Sequence, residues 1–257
     1  MRWSLPKLLL TPEQLAGVYA KLERAEENIF KLNVEISDFL NEGPYRRAAK
    51  DKRKAVEEWL KFHSQRDIPP RFAVLSGEIL YHLRSSLDHV AWLLSTDDYR
   101  RTKKTSIAFP VLAKPPNEKE QSRYDGNIKG ITAPAARSGS DDLQPYKGSH
   151  PLSNPLAIVH QLNRIDKHRN LVLVVATFDA QIQIPEHLLT TRMIGGGLKM
   201  DRDETARELT QKANFKMSRQ VAFAEFGGRK NQPVIPSLTE LTNAIRNVVK
   251  VFAVLRT

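Results

Sequence analysis

The stretch Asn163-Arg164-Ile165-Asp166-Lys167-His168-Arg169-Asn170-Leu171-Val172-Leu173-Val174-Val175-Ala176 holds the change of pattern that decides the fold. On its upstream side, residues 154–170 read as a helix, with Asn154 placed to cap it and Pro155 at the first helical position, where a missing N–H costs nothing. From Leu171 the spacing changes. A continuous apolar run to Phe178 and the alternation Gln181-Ile182-Gln183-Ile184 are β patterns. Further strands are predicted at Leu189–Ile194, Gly197–Met200 and Gln220–Phe226, the last closed by Gly227-Gly228. A final helix over 236–256 follows. It has Ser237 and Glu240 at capping-box spacing, and Leu238, Leu241, Ile245, Val248, Val249 and Phe252 on its buried face.

Towards the N-terminus two longer helices are predicted. The first covers 12–42, with Thr11 as cap, Pro12 at its first position and Glu13 in its first turn. Its apolar residues Leu15, Val18, Leu22, Ile29, Leu32, Ile36, Phe39 and Leu40 recur at helical spacing, and Gly43-Pro44 ends it. The second covers 71–95 after Pro69-Pro70, with Leu80, Leu83, Leu87, Val90 and Leu94 as one stripe. Residues 45–67 suit either a helix or an exposed hairpin. Residues 96–153 are rich in Pro, Gly, Ser and charge and read as a loop-rich insertion with one short strand at Ile107–Leu112. The expected architecture is a single α+β domain over 1–257. Its helical-bundle core comes from 12–95, 154–170 and 236–256, and a small antiparallel sheet from 171–226 is inserted before the last helix.

The chain has 257 residues, a net charge of +11 and no cysteine. The last point removes disulfides, zinc–thiolate sites and thiol catalysis and points to a reducing, cytoplasmic setting. No apolar run approaches the roughly 20 residues of a membrane helix. The basic start, Met1-Arg2-Trp3-Ser4-Leu5-Pro6-Lys7, precedes only three leucines and does not read as a secretory signal. No membrane association is expected. Residues 1–95 carry 15 basic and 13 acidic residues against 25 and 16 downstream, so most of the surplus lies after residue 95. Basic clusters stand at Arg46, Arg47, Lys50, Lys52, Arg53, Lys54 and at Arg100, Arg101, Lys103, Lys104. They read either as solvated surface or as contacts to a polyanion.

Four of the seven histidines fall on two predicted helices, His82 and His89 on one, His160 and His168 on the other. At 100° per residue His82 and His89 lie about 20° apart around the helix, and Arg84 and His89 about 140° apart. Arg84 and Asp88 are i, i+4 neighbours able to pair, as are Arg164 and His168, and Asn163 and Lys167. Were the two helices packed together, Asp88 would meet His168 or Asp166 would meet His89. A carboxylate beside an imidazole suits acid–base work near neutral pH. Arg164, Lys167 and Arg169, with Asn163, would hold phosphate. The alternative is that these groups are salt bridges tying two core helices together. No metal-ligand spacing such as H-E-x-x-H occurs, so neither a metal nor another cofactor is expected, although His82, His89, His168 and Asp88 are by residue type a metal set and leave a metal-dependent hydrolase as a third alternative.

The segment Leu83-Arg84-Ser85-Ser86-Leu87-Asp88-His89 resembles the signature of the HEPN superfamily, in which an arginine, a polar residue, three further residues and a histidine occupy one helix. The chain also resembles a group of bacterial proteins that pair an LRSxLDH-type segment with an LNRIDKHR-type segment, here residues 83–89 and 162–169. The resemblance implies a helical bundle, frequently dimeric, and a metal-independent endoribonuclease acting in defence or toxin–antitoxin stress responses, with RNA as substrate and an antitoxin as a further partner. His89 would then be the proton-transfer residue, Arg84 the charge stabiliser and Asp88 its orienting carboxylate. His168, backed by Asp166, would be a second proton-transfer residue. The competing expectation is a non-catalytic basic module that binds RNA, DNA or an acidic protein.

Overall fold

The first helix starts where Thr11 makes a reciprocal cap: the Gln14 N–H donates to Thr11 Oγ1 at 3.4 Å and the Thr11 N–H donates to Gln14 Oε1 at 2.9 Å. Leu10 before the cap and Leu15 after it are both buried in the main core, the staple arrangement that fixes the entry of the chain. The computed structural model describes residues 9–41, 67–102, 107–183 and 214–254. The stretch 45–66, the basic cluster within it, Lys103, Lys104 and the strands read at 189–194 and 197–200 lie outside the described residues.

Helix α1 (Pro12–Asn41) buries Leu15, Val18, Leu22, Ala25, Ile29, Leu32, Ile36 and Phe39, alternating steps of three and four that lay one seam along about 45 Å of helix. Helix α2 (Pro70–Leu94) answers with Phe72, Ser76, Ile79, Leu83, Ser86 and Val90 at the same alternation. Its small Ser76 and Ser86 turn their hydroxyls back onto the carbonyls of Phe72 and Leu83, so they enter the seam without unpaired donors. The helices run antiparallel, ending at an edge-on pair of rings, Phe39 on Phe72.

Residues 96–153 hold more regular structure than their composition predicts: α3 (Asp97–Thr102), α4 (Glu118–Ile128), α5 (Pro134–Asp142) and two 3-10 turns at Pro145–Lys147 and Pro151–Ser153. These elements are too short to show a hydrophobic period. They gather a second small cluster from Tyr124, Ile128, Ile131 and Ala136. The strand expected at Ile107–Leu112 does not form. Its backbone is taken up instead by side chains, Phe109 by Asp88 and Arg84 and Pro110 by Gln144.

Helix α6 (Pro155–His168) begins as read, the Asn154 side chain accepting from Leu156 N at 2.9 Å. After it, β1 (Leu173–Gln183), β2 (Asn214–Phe226) and β3 (Arg229–Pro233) form a three-stranded antiparallel sheet in the order β1-β2-β3, with the register shifting between Phe178 and Ala180. The β2–β3 turn places Gly227 and Gly228 at φ 56° and 79°, as a two-residue hairpin requires. β3 is missed by the sequence reading, since Arg-Lys-Asn-Gln-Pro is polar and one-sided. Helix α7 (Val234–Val254) follows β3 without a loop. It begins two residues before the predicted start, so Ser237 lies inside its first turns, buried, and the expected Ser237–Glu240 cap does not mark its end. The α+β architecture is as expected: α1, α2, α6 and α7 share one core with Val221, Phe223 and Phe226 of β2, and the sheet precedes the last helix.

Candidate functional site

Along one edge of the α1–α2 seam the apolar packing gives way to a ladder of polar pairs. Glu35 accepts from Arg71 at 2.6 Å, Asn28 donates to Glu78 at 3.3 Å, Lys21 Nζ donates to Ser85 Oγ at 2.5 Å, and Gly17 faces the His89 ring. Arg24 and His82 face each other between the second and third rungs, close enough for the guanidinium to act on the imidazole. Each step of three, four or seven along α1 is matched by the same step back along α2. One antiparallel register thus sets the whole row, and every rung falls beside the seam.

The upper rungs concentrate imidazole and cationic groups. His89 stands over Gly17 so closely that a Cβ there would lie 2.9 Å from its Cε1. Its Nδ1 is buried without a hydrogen-bond partner. Burial, then Lys21, hold the His89 pKa below the ordinary histidine value. His82 is lowered in the same way, by burial first and then by Arg24 and Lys21, against an opposing pull from Glu78. Both rings are therefore neutral at pH 7 and half-exposed, beside a lysine whose ammonium is aimed by Ser85.

Arg84 and Asp88 point elsewhere. Arg84 Nη2 donates to Asp88 Oδ1 at 2.7 Å and to the Phe109 carbonyl at 2.6 Å, and the Phe109 N–H donates to Asp88 Oδ1 at 2.9 Å. This closed clamp fastens the 107–110 segment to α2, and Phe109 in turn sets its ring edge-on to Phe252 of α7. Arg84 Nη1 is buried without a partner. Burial pulls the guanidinium's pKa down while Asp88 opposes it. His160 of α6 lies near this clamp and is pushed down to about 4, by burial first and then by Arg84, Arg164 and Lys167.

The residues read from the sequence as one constellation thus divide among separate places. The i, i+4 pairing of Arg84 with Asp88 forms as expected, and the angular separation of Arg84 from His89 keeps them on different faces. The expected Asp166–His89 pairing does not form: the Asp166 carboxylate sits over Gly77, where a Cβ would lie 2.4 Å from each of its oxygens, and Gly77 is about 18 Å along the helix from His89. Burial raises the Asp166 pKa. No Asp88–His168 contact forms among the described residues either. His168, Arg164, Lys167 and Arg169 are exposed around the end of α6. Asn163, expected to touch substrate, is instead buried, its i, i+1 neighbour Leu162 and the rest of that face belonging to the core. The α1 residues of the ladder, Gly17, Lys21, Arg24, Asn28 and Glu35, are missed by the sequence reading, as are Arg71 and Glu78 opposite them. Their signal is the spacing Gly17, Lys21, Arg24, Asn28, a polar row flanking the apolar stripe.

Among the described residues no group of three or more His, Cys, Asp or Glu is placed to hold a metal ion, and no helix is long and apolar enough to cross a membrane. No family model, curated protein or solved structure matches the chain.

Proposed function

We propose that the protein is a basic RNA-binding module that receives the phosphate backbone along the cationic part of the ladder. The observation that carries this reading is the Lys21–Ser85 contact between His82 and His89. It puts an aimed ammonium and two neutral, half-exposed imidazoles on one continuous edge, while Arg84 and Asp88 are committed to the Phe109 backbone. Ammonium and guanidinium groups on a helix edge match the spacing and charge of phosphates, and the net charge of +11 adds long-range attraction.

Cleavage of the bound RNA is the second reading, and the neutral His89 ring within electrostatic reach of Lys21 favours it. In this reading His89 takes the 2′-hydroxyl proton, the 2′-oxygen attacks the adjacent phosphorus, and the P–O5′ bond breaks, the 5′-oxygen leaving with a proton from water to give a 2′,3′-cyclic phosphate. Lys21, rather than the clamped Arg84, offsets the charge that builds on the phosphoryl oxygens. It makes the chain a metal-independent endoribonuclease of the kind the HEPN resemblance implies.

One experiment tests both readings, with the full chain and single-stranded RNA. Gly17→Ala pushes the His89 ring aside while gaining about 1 kcal/mol of helix propensity, so the fold stays intact. Lys21→Ala is expected to weaken binding, and Gly17→Ala and His89→Ala to leave it within about twofold. If RNA is cleaved, both of those variants abolish turnover; cleavage that persists in them overturns the catalytic reading. Binding unaffected by Lys21→Ala overturns the ladder as the RNA path.

A further inference from the structure

Beyond His89 the half-buried stripe of α2 runs one step further, to Trp92, and there it meets α3. Among the described residues Trp92, Asp97, Arg100 and Arg101 line a shallow hollow of about 440 Å³. Its walls are held from behind. The Ser95 N–H returns to the Trp92 carbonyl at 3.2 Å, the Thr96 N–H donates to the Gly130 carbonyl at 2.9 Å, and Ser95 bridges Ile131. Tyr99 packs on Gly130 so closely that a Cβ there would clash with its ring, and its hydroxyl donates to the Gly126 carbonyl at 2.8 Å. α3 is therefore fixed against α4, and its arginines are presented from a set position. Arg100 is paired with Asp97, which holds its guanidinium on the wall. Arg101 is exposed and has no acid partner among the described residues.

We propose that this hollow is a nucleotide subsite for single-stranded RNA, an inference that rests on the RNA-binding reading and names how a base is held. A nucleotide offers a flat π face, an anionic phosphate and hydrogen-bond donors on the base edge and ribose. The hollow offers an indole, an exposed guanidinium with a second one beside it, and one carboxylate. Bases of any sequence stack on an aromatic ring, and arginine adds phosphate contact and cation–π attraction. Trp92 lies three residues, about 4.5 Å of helix, from His89, on the scale of the roughly 3.4 Å that each nucleotide advances along a stacked strand. A base on Trp92 therefore brings its neighbouring phosphodiester towards His89, and the nucleotides that follow towards the Lys21–Ser85 rung about 10 Å along the helix. An acidic peptide matches the arginines but leaves the ring without a partner.

The test uses the full chain, labelled oligouridine of about twelve nucleotides, UMP, ribose 5-phosphate and polyglutamate. Trp92→Ala is expected to weaken oligouridine binding about tenfold and Trp92→Phe by no more than about threefold. UMP is expected to quench the fluorescence present in the wild type and absent in Trp92→Phe, Trp3 and Trp59 being common to both, and ribose 5-phosphate is not. Oligouridine binding that falls with Lys21→Ala but not with Trp92→Ala overturns the subsite and leaves RNA binding standing. UMP quenching without oligouridine binding supports the subsite and overturns the RNA reading. Polyglutamate competing as well as RNA, with no dependence on Trp92, overturns the subsite in favour of an acidic protein partner.

Discussion

Arg84 carries the sharpest consequence of a single side chain. Its guanidinium reaches two acceptors, Asp88 Oδ1 and the Phe109 carbonyl, from a side chain only 11% exposed. Both bonds leave the single nitrogen Nη2, and Arg84→Lys keeps the charge but must bring a shorter side chain's ammonium to that spot and bury it there. Thermal unfolding is expected to show a loss of about 2 kcal/mol for Arg84→Lys and more for Arg84→Ala, with RNA affinity at saturating stability unchanged. Loss of affinity without loss of stability would return Arg84 to the binding site. His160 gives a pH dependence. Its folded pKa of about 4 lies below the unfolded value of 6.5, so between those values the unfolded chain binds the extra proton. Its contribution is complete above pH 6.5 and is lost as pH falls towards 4. The melting temperature should drop across that window, and His160→Gln should flatten the drop. At this scale the sequence is legible wherever a local relation suffices, as in the Arg84–Asp88 pair or the Thr11 and Asn154 caps. It is not legible for Asn163, whose burial depends on which neighbour covers α6.

Between elements, the approach of α6 to α2 turns on Gly77. A methyl group there would meet both Asp166 oxygens at 2.4 Å, so Gly77→Ala is expected to destabilise by about 1–3 kcal/mol as an overpacked contact despite its better helix propensity. Asp166→Ala removes the clashing atoms. The double variant should recover most of that loss, a coupling that denaturant titration of the four-member cycle will measure. Long elements were readable because their period repeats: eight buried positions of α1 fall on one stripe. α3, α4 and α5 span too few turns to repeat any pattern, and β3 is too polar to announce a strand. The start of α7 was misplaced because Ser237 satisfies the local rule for a cap while the chain, leaving β3 directly, has already turned into helix at Val234. Local chemistry proposed a boundary there and the strand–helix junction overrode it.

For the whole molecule, the surplus charge makes ionic strength the natural probe. Each phosphate contact to a single strand adds about 0.7 to the slope of log affinity against log salt. Replacing Lys21 and Arg101 together should lower that slope by about 1.4, measured with oligouridine across a salt series. Replacing Arg164, Lys167 and Arg169 at the end of α6 tests whether a second basic area takes part; an equal fall in slope would extend the path beyond the ladder and the Trp92 hollow. The fold class was legible at this scale from one change of period at Leu171. The site was not, because the ladder joins residues from 36 (Glu35–Arg71) to 64 (Lys21–Ser85) positions apart and beyond and needs the register between two helices, which no local pattern supplies.

That register also decides how the chain tolerates changes of length. All rungs from Glu35–Arg71 to Gly17–His89 are phased by uninterrupted helix on both sides, with no loop between them to absorb a slip. One residue added between Arg24 and Asn28 would turn everything before it by about 100°, carrying Lys21 off Ser85 and presenting an apolar or bulky side chain to His89 in place of Gly17. Seven residues added to α1 and seven to α2 at matching levels would leave the facing pairs in phase. Along α1 and α2 the chain is therefore expected to tolerate added length only in paired heptads.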